Sequence, residues 1–322
     1  MAKIYVPPIK CQGIKTKLVE WIKDVVDWSG DGRWIEPFVG SGVVGFNLLP
    51  KKAVFSDINP HLIEFYNAIQ RENITPAVAR QFLEAEGVKL AQSGADYYYE
   101  VRERFNNSHA PLDFLFLNRS CFNGVIRFNQ KGGFNVPFGH KPQRFAPAYI
   151  TKIVNQIAFV ADCVKTYDWK FVHQDFGLAL ASATPQDHIY CDPPYIGRHV
   201  DYFNSWDEEQ EMRLYQKLKN SPAHFVLSTW HSNQHRQNHY IDSLWAQFYI
   251  VTREHFYHVG AAESNRKPML EALVLNYRPT AASPQNRQNG YQLRLLEPRV
   301  KYQVNANGHK KSEESTLESL SH

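Results

Sequence analysis

The residues best suited to chemistry lie where a short apolar run, Ile189-Tyr190-Cys191, is followed by Asp192-Pro193-Pro194-Tyr195. The run is typical of a buried strand, and the two prolines stiffen the turn that leaves it. The Asp192 carboxylate and the Pro193 carbonyl both accept hydrogen bonds, and Tyr195 offers an aromatic face. Together these groups can hold a flat amino group by its two N–H bonds.

Two acceptors of this kind suit methylation of an exocyclic amino group on a nucleobase. The nitrogen of such a group is a poor nucleophile because its lone pair is delocalised into the ring. Two N–H···O bonds localise the lone pair, and a rigid turn aims the acceptors, which supplies much of the rate of a direct transfer. The same four residues are also compatible with a plain turn at a strand end, so the hypothesis depends on the elements around them.

A glycine-rich turn follows an earlier apolar run. Trp34-Ile35-Glu36 predicts a strand, Phe38-Val39-Gly40-Ser41-Gly42 a turn, and the segment through Phe46 a helix. This order resembles the first βα unit of a Rossmann-like sheet, in which glycines let the backbone approach a ligand. The G-x-G spacing lacks the further glycine of a dinucleotide site, which argues against NAD.

Two further predicted strands end in an acidic residue. Asp57 follows Ala53–Ser56, at the position where a Rossmann-like sheet binds ribose hydroxyls. Asp175 and Phe176 follow another apolar run and suit the edge and face of an adenine ring. Lys15, before a predicted helix, could hold a carboxylate or phosphate. A surface lysine and a helix-capping aspartate are the alternative interpretations of Lys15 and Asp57.

The central region is basic. Phe114 to Ala161 contains no acidic residue, and the alternation in Val125–Asn129 between turn signals predicts a hairpin. A cationic hairpin with Arg, Asn and aromatic side chains favours nucleic-acid binding over the alternative, a solvated loop. The basic residues are Arg119, Arg127, Lys131, Lys141, Arg144 and Lys152.

Composition bounds the remaining possibilities. The chain has 322 residues, a formal net charge of +4 and 14% aromatic residues, and its length fits one large α/β domain with an insertion or two domains. It contains no apolar stretch of membrane-spanning length and no signal-peptide pattern at the N-terminus, so a cytoplasmic location and no membrane partner are expected. His231, His235 and His239 have the spacing of one helix face but no acidic partner nearby, so no metal site is expected. Disorder is expected from about residue 303.

In this order, the motifs resemble the Dam-type, or alpha-class, DNA adenine-N6 methyltransferases, which include type II modification methyltransferases. The likeness extends over about residues 8–279. It includes Leu117-Asn118-Arg119, Phe122-Asn123-Gly124-x-x-Arg127-Phe128-Asn129 and Gly133-Phe134-Asn135-Val136-Pro137-Phe138-Gly139. The chain has Cys11 and Ile14 where that family usually has Trp and Gly, and Phe122 where Dam has Tyr.

The resemblance implies an α/β fold, namely a Rossmann-like S-adenosylmethionine-dependent methyltransferase sheet with an inserted target-recognition subdomain containing a β-hairpin. Residues 1–72 and 163–280 would form the catalytic domain, 73–162 the recognition subdomain, and 281–322 a polar extension. The implied reaction transfers a methyl group from S-adenosylmethionine to N6 of a flipped adenine in double-stranded DNA. A GAT-containing site, such as GATC, is expected.

The resemblance also assigns residues to roles. Asp192, Pro193, Pro194 and Tyr195 would be catalytic. The cofactor would contact Lys15, Glu36, Pro37, Phe38, Gly40, Ser41, Gly42, Asp57, Ile58, Asp175 and Phe176. DNA would contact Arg119, Phe122, Asn123, Gly124, Arg127, Asn129, Asn135, Pro137 and Lys141.

Several alternatives stay open at this point. Cytosine N4 or an RNA base is the alternative methyl acceptor, although Asp at the first catalytic position favours adenine. A DNA-binding protein without activity is the alternative to an enzyme. The enzyme could be solitary or paired with a cognate restriction endonuclease. A monomer is expected, because each transfer modifies one strand.

Overall fold

The computed structural model describes residues 3–196, 206–256, 268–279, 294–298, 303–304 and 310–311. The chain forms two compact units, Met1–Leu227 and Ser228–His322, which are described separately. Among the described helices, none combines the length and apolar character needed to cross a membrane.

The first unit is built on parallel strands in the order β3-β2-β1-β4-β5. The strand order reverses between β1 and β4, so the connections that leave these two neighbouring strands run to opposite sides. A ligand in an open parallel sheet binds at such a switch point, beyond the carboxyl ends of the strands. The strands are β1 Trp34–Glu36, β2 Lys52–Asp57, β3 Asp168–His173, β4 His188–Cys191 and the first part of β5 His224–Asn233.

The two strands at the switch point, β1 and β4, lie in the interior of the sheet. Every residue of β1 and β4 is buried, as expected for parallel strands covered on both faces. The rings of Trp34 and His188 stack 5.3 Å apart across the pair β1–β4. This packing fixes the two strands from which the glycine turn and the Asp192 turn emerge.

Several helices of the first unit begin where the sequence supplies a start signal. Proline occupies the first turn of α3, α4, α6 and α7, where its missing N–H costs nothing. Asn59, Thr75 and Asp175 cap α3, α4 and α8 through their side-chain oxygens. The helices are α1 Val19–Val25, α2 Gly45–Leu48, α3 Pro60–Gln70, α4 Pro76–Ser93, α5 Ala95–Ser108, α6 Pro111–Ser120, α7 Pro147–Thr166, α8 Phe176–Ala181 and α9 Glu208–Lys219, with a 3₁₀ turn at Phe122–Gly124.

The connection from β2 to β3 is long and carries helices α3 to α7 together with the predicted hairpin. The hairpin is present, since Phe128 pairs with Phe134, and Asn129 N donates to Gly133 O at 2.8 Å. Val125–Asn129 does not form a regular strand, however, because its pairing is limited to this single bridge. The predicted Rossmann-like α/β sheet with an inserted segment containing a hairpin is therefore confirmed. The domain boundaries stay a prediction, and α7 runs across the one placed after residue 162.

The second unit contains antiparallel strands in the order β7-β6-β8. These are β6 Tyr249–Phe256, β7 Pro268–Leu275 and β8 Arg294–Leu296, and the unit also holds α10 His239–Ser243 and a 3₁₀ turn at Trp245–Gln247. His231 lies in β5 and His239 begins α10, so the spacing of these histidines does not place them on one helix. The predicted disordered tail falls mostly outside the described residues; the described part contains β9 Gln303–Val304 and β10 Lys310–Lys311.

Candidate active site and recognition segment

The predicted catalytic turn leaves the carboxyl end of β4, and a buried lysine binds it. Lys15 Nζ lies 2.8 Å from Asp192 Oδ1 and 4.9 Å from the centroid of the Tyr195 ring. It also donates to Gly13 O at 3.0 Å. The structure therefore brings Lys15, predicted at the cofactor, into direct contact with the catalytic turn. A cation in this position orients the Asp192 carboxylate and the Tyr195 ring together.

The glycine turn lies at the neighbouring strand end, after β1. Gly40 and Gly42 have φ angles of 48° and 76°, which favour glycine. A Cβ on Gly42 would lie 2.6 Å from the Phe46 ring, whereas a Cβ on Gly40 would meet nothing closer than Cys11 Sγ at 3.8 Å. Gly40 therefore leaves a cradle that a side chain would fill. Ser41 is buried, and its carbonyl accepts a hydrogen bond from Tyr66 Oη at 2.7 Å.

Asp57, at the end of β2, holds this turn from the side. Its Oδ2 accepts a hydrogen bond from Gly40 N at 3.0 Å, and its Oδ1 accepts one from Asn59 N at 2.9 Å. Burial raises the pKa of Asp57, and these backbone donors partly offset the effect. Ile58 next to it is exposed, and its carbonyl lies 3.1 Å from His173 Nε2. The Asp57 carboxylate thus links the end of β2 to the turn after β1, two places that are predicted to bind the same ligand.

Glu36 lies beneath the turn. Its Oε2 accepts hydrogen bonds from Trp34 Nε1 at 2.9 Å and from Gly45 N at 3.1 Å. Burial raises the pKa of Glu36 to about 8 despite these donors. The side chain thus braces the strand–helix junction, and the adjoining Pro37 is buried as well. A direct cofactor contact by Glu36 or Pro37 stays a prediction.

Asp175 and Phe176 lie after β3, at the start of α8. Phe176 stacks on Phe38 of the glycine turn, with ring centroids 5.3 Å apart and planes 29° from parallel. The Asp175 carboxylate pairs with Arg213 of α9, and the ring of Trp206 contacts both phenylalanines. Neither Arg213 nor Trp206 lies in a motif that the sequence marks as functional. An aromatic residue directly before the α9 cap at Asp207 was the only local signal.

The recognition hairpin has an exposed aromatic residue at its base. The Phe122 side chain is 52% exposed. Its backbone N–H donates a hydrogen bond to the carbonyl oxygen of Pro137, which is also exposed, at 2.9 Å. Asn123 has a φ of 54°, which is uncommon for a residue with a side chain, and Gly124 follows at 68°. This left-handed pair makes the sharp bend that presents Phe122.

The polar hairpin residues fall into two groups. Arg127 Nε donates to Asn135 Oδ1 at 2.8 Å, and its Nη2 donates to Asn135 O at 3.2 Å, so these two predicted DNA contacts hold each other. Asn129 Oδ1 instead accepts from Lys131 N at 2.9 Å and Gly133 N at 3.0 Å, which closes the turn. Lys141 is exposed. Asn129 therefore has a structural task in the hairpin, whereas Arg127 is held near its surface.

Arg119 does not reach the surface as the DNA-contact prediction requires. The side chain is 3% exposed, and Nε donates to Pro8 O at 2.6 Å and Nη2 to Gln156 Oε1 at 2.5 Å. Burial lowers the pKa of Arg119. Its donors are spent on holding the N-terminal segment against α6 and α7, because buried backbone carbonyls must be satisfied. A DNA contact by Arg119 stays a prediction, and in this structure the side chain holds the N-terminal segment.

With this geometry established, comparison with known proteins identifies the family. A family model described as D12 class N6 adenine-specific DNA methyltransferase matches residues 12–259. The chain belongs to this methyltransferase family. The match includes Lys15, the glycine turn, the recognition hairpin and the Asp192 turn, so the predicted membership is confirmed on the residues that carried it.

Individual relatives agree with the family. The DNA adenine methylase of Vibrio cholerae is 35% identical over 193 residues, which cover 58% of this chain and 64% of that methylase. The chain thus spans slightly less than two thirds of the Vibrio protein. The type II methyltransferase M.MjaIII of Methanocaldococcus jannaschii is 29% identical over 249 residues, 69% of this chain and 83% of that one.

One solved structure is similar in overall extent. The rRNA methyltransferase aviRa from Streptomyces viridochromogenes aligns over 86% of this chain and 88% of its own. The sequence identity is 14% and the TM-score 0.35, which is too low to carry an argument about the site.

Proposed function

We propose that this protein transfers a methyl group from S-adenosylmethionine to N6 of an adenine in double-stranded DNA, at a GAT-containing site such as GATC. The observation that carries the proposal is the juxtaposition of Lys15 with Asp192 and Tyr195 at the switch point of the sheet. The acceptor turn for an amine and the glycine turn for a cofactor leave adjacent parallel strands there.

The residues around the glycine turn fit S-adenosylmethionine. The open cradle at Gly40 admits a ligand close to the backbone, the Asp57 carboxylate suits ribose hydroxyls, and Asp175 with Phe176 suits the adenine. Ile58, exposed at the end of β2, offers an apolar edge nearby. When bound, this cofactor supplies a methyl group on a positively charged sulfur. Its methionine end would face Lys15 and the turn from Phe38 to Gly42.

The chain's own residues perform the rest of the reaction. Asp192 and the carbonyl of Pro193 accept the two N–H bonds of the target amine and so concentrate its lone pair on nitrogen. The fixed φ of both prolines keeps these acceptors in place, and Tyr195 supports the base from its face. A proton must leave the nitrogen after transfer, and Asp192 is the side chain placed to accept it.

An adenine inside a duplex cannot reach this turn, so the base must leave the helix. Phe122 supports this step, because an exposed ring on a stiff bend can enter the space that the base vacates. Arg127 suits bidentate pairing with guanine once it exchanges Asn135 for the base edge. The 114–161 segment, without any acidic residue, would lie against the phosphates.

The biological setting follows from the relatives only as a proposal. Some matching proteins are named DNA adenine methylases and others type II methyltransferases. We therefore infer that the enzyme acts either alone or beside a cognate restriction endonuclease. A monomer suffices, since each strand of a palindromic site is modified separately.

The decisive experiment incubates purified protein with S-adenosylmethionine and unmethylated genomic DNA and maps N6-methyladenine by sequencing. We expect modification at one GAT-containing site and at least a thousandfold loss in Asp192→Ala, because the acceptor for the amine is removed. Asp162→Ala, which removes an exposed carboxylate on α7, is the matched control and should retain full activity. Parallel incubations of the DNA and of RNA with S-adenosylmethionine labelled in its methyl group show which base is modified. Methyl transfer to cytosine or to RNA instead would overturn the substrate, and a modified site lacking GAT would overturn the specificity.

A further inference from the structure

An arginine that the sequence motifs do not mark binds the carboxylate of Asp175. Arg213, from α9, donates through Nη1 to Asp175 Oδ2 at 3.0 Å, and its Nη2 pairs with Asp175 Oδ1. Oδ1 also accepts Gly177 N at 2.8 Å. A bidentate arginine and a backbone donor leave the carboxylate little freedom to rotate, so its orientation is fixed before any ligand arrives.

The same guanidinium also covers the neighbouring aromatic ring. Its central carbon lies 4.5 Å from the centroid of the Phe176 ring. A Cβ on Gly177 would lie 2.5 Å from Arg213 Nη2, which means that the guanidinium rests against the first turn of α8. Arg213 therefore positions the two adjacent residues that the cofactor's adenine would meet.

Trp206 completes the aromatic surroundings. Its ring centroid lies 5.5 Å from that of Phe38 in an edge contact and 5.6 Å from that of Phe176. Trp206 Nε1 donates to the buried Glu211 at 2.8 Å, so α9 fixes this ring as well. Helix α9 thus supplies the arginine and, through Glu211, anchors the indole that precedes the helix.

The ion pair between Arg213 and Asp175 contributes little to the free energy of unfolding, so its main role lies elsewhere. The side chains of Arg213 and Asp175 are 40% and 33% exposed, and partly exposed pairs of this kind have small effects on the free energy of unfolding. Its effect should therefore be felt in ligand binding, where an acceptor that is already oriented loses no freedom on complex formation.

We propose that Arg213 is a positioning residue that fixes Asp175 as the acceptor for the 6-amino group of the cofactor's purine, and so makes the site select adenine over hypoxanthine. The inference rests on the proposed function. An ionised carboxylate only accepts hydrogen bonds, so it binds an amino group but faces a second acceptor when the purine carries a 6-oxo group. That mismatch discriminates strongly only if the carboxylate cannot turn away.

The test measures binding of S-adenosylhomocysteine and S-inosylhomocysteine to the full chain by titration calorimetry. We expect the wild type to prefer the adenosyl ligand by about a hundredfold, and Arg213→Ala to reduce that preference to about tenfold or less, mainly by weakening the adenosyl ligand. Arg213→Lys, which keeps the charge but not the bidentate pair, should lie in between. Lys217→Ala, an exposed cation on the same helix, is the control and should match wild type.

The outcomes are distinguishable. A wild type that binds neither ligand would refute the proposed cofactor, and this inference with it. A wild type that binds both, with an Arg213→Ala variant that keeps the full preference or loses both ligands equally, would refute the positioning role alone. The double variant Asp175→Asn with Arg213→Ala should lose no more affinity for the adenosyl ligand than Asp175→Asn alone. Additive losses of affinity would also refute the positioning role. Thermal unfolding of each variant confirms that the fold is retained.

Discussion

Burial has its clearest effect on protonation at the carboxyl group of Glu36. With a pKa of about 8 in the folded protein, it carries a proton at neutral pH, whereas it is ionised in the unfolded chain. The neutral form is favoured here, because an ionised carboxylate under the glycine turn would have few hydrogen-bond donors to compensate its buried charge. Local sequence could not predict this state, since it depends on the strands and helix packed around the side chain.

Stability should therefore fall as pH rises through the range set by Glu36. Its folded pKa is raised, so its contribution is complete below the unfolded pKa of 4.5 and is lost as pH approaches about 8. Between pH 6.5 and 8 we expect the Glu36 contribution to the free energy of unfolding to drop by roughly 1 kcal/mol per pH unit. Urea unfolding across this range, for wild type and Glu36→Gln, measures the effect as the difference between the two pH slopes.

Buried histidines act in the opposite direction near the lower end of this window. Burial lowers the pKa of His188 to about 3 and that of His61 to about 4, so both are neutral in the folded protein at pH 6.5 but still partly protonated in the unfolded chain. Because both proteins contain these histidines, the difference in slope between wild type and Glu36→Gln isolates the effect of Glu36. A Glu36→Gln variant with the wild-type slope would assign the effect to another group.

Among the elements, the recognition hairpin shows how a short segment is stiffened without regular strands. Asn129 closes its turn, Arg127 and Asn135 bridge its two sides, and Gly124 packs against Lys10, where an added Cβ would lie 2.6 Å from Lys10 Cδ. The turn residues and the hairpin could be predicted, because turn chemistry is local. The absence of a regular strand could not, since a single bridge and side-chain bonds replace the ladder.

Phe122 should act on base extrusion. We expect Phe122→Ala to lower kcat at least tenfold on intact duplex, because the unstacked space is no longer filled. On a duplex with an abasic site opposite the target adenine, the loss should shrink to less than threefold, since pairing is already broken. Single-turnover methylation of both duplexes measures this, with Val88→Ala, another exposed apolar residue, as control. Equal losses on the two duplexes would show that Phe122 has a different role.

Across the first unit, the N-terminal segment joins α6 to the turn that carries Asp192. Asn118 of α6 accepts from Lys10 N at 2.8 Å and donates to Lys10 O at 2.9 Å, and Arg119 holds Pro8. The strand order, the glycine turn and the family could be predicted from motifs along the chain. This clamp could not, because its partners are separated by more than one hundred residues and Arg119 looked like a surface cation.

Removing the clamp should loosen the segment and weaken the fold. Asn118 is fully buried, so we expect Asn118→Ala to lower the free energy of unfolding by about 3 kcal/mol, since it leaves backbone groups of Lys10 without partners. Trypsin should then cleave after Lys10 or Lys15 much faster than in wild type. Asn107→Ala, an exposed asparagine on α5, provides the comparison. Unchanged cleavage and stability would show that the segment is held by other contacts.

The segment from Lys10 to Lys15 is fastened at both ends, at one by the backbone bonds to Asn118 and at the other by the bond to Asp192. The fold therefore constrains the length of this segment, at most about 18 Å of chain, more than its amino-acid composition. Cys11 and Ile14 lie between the two lysines, as does Gly13, whose φ of 72° favours glycine. Substitutions at Cys11 and Ile14 are then expected to be tolerated, whereas one residue added or removed would pull the Asp192 carboxylate out of line.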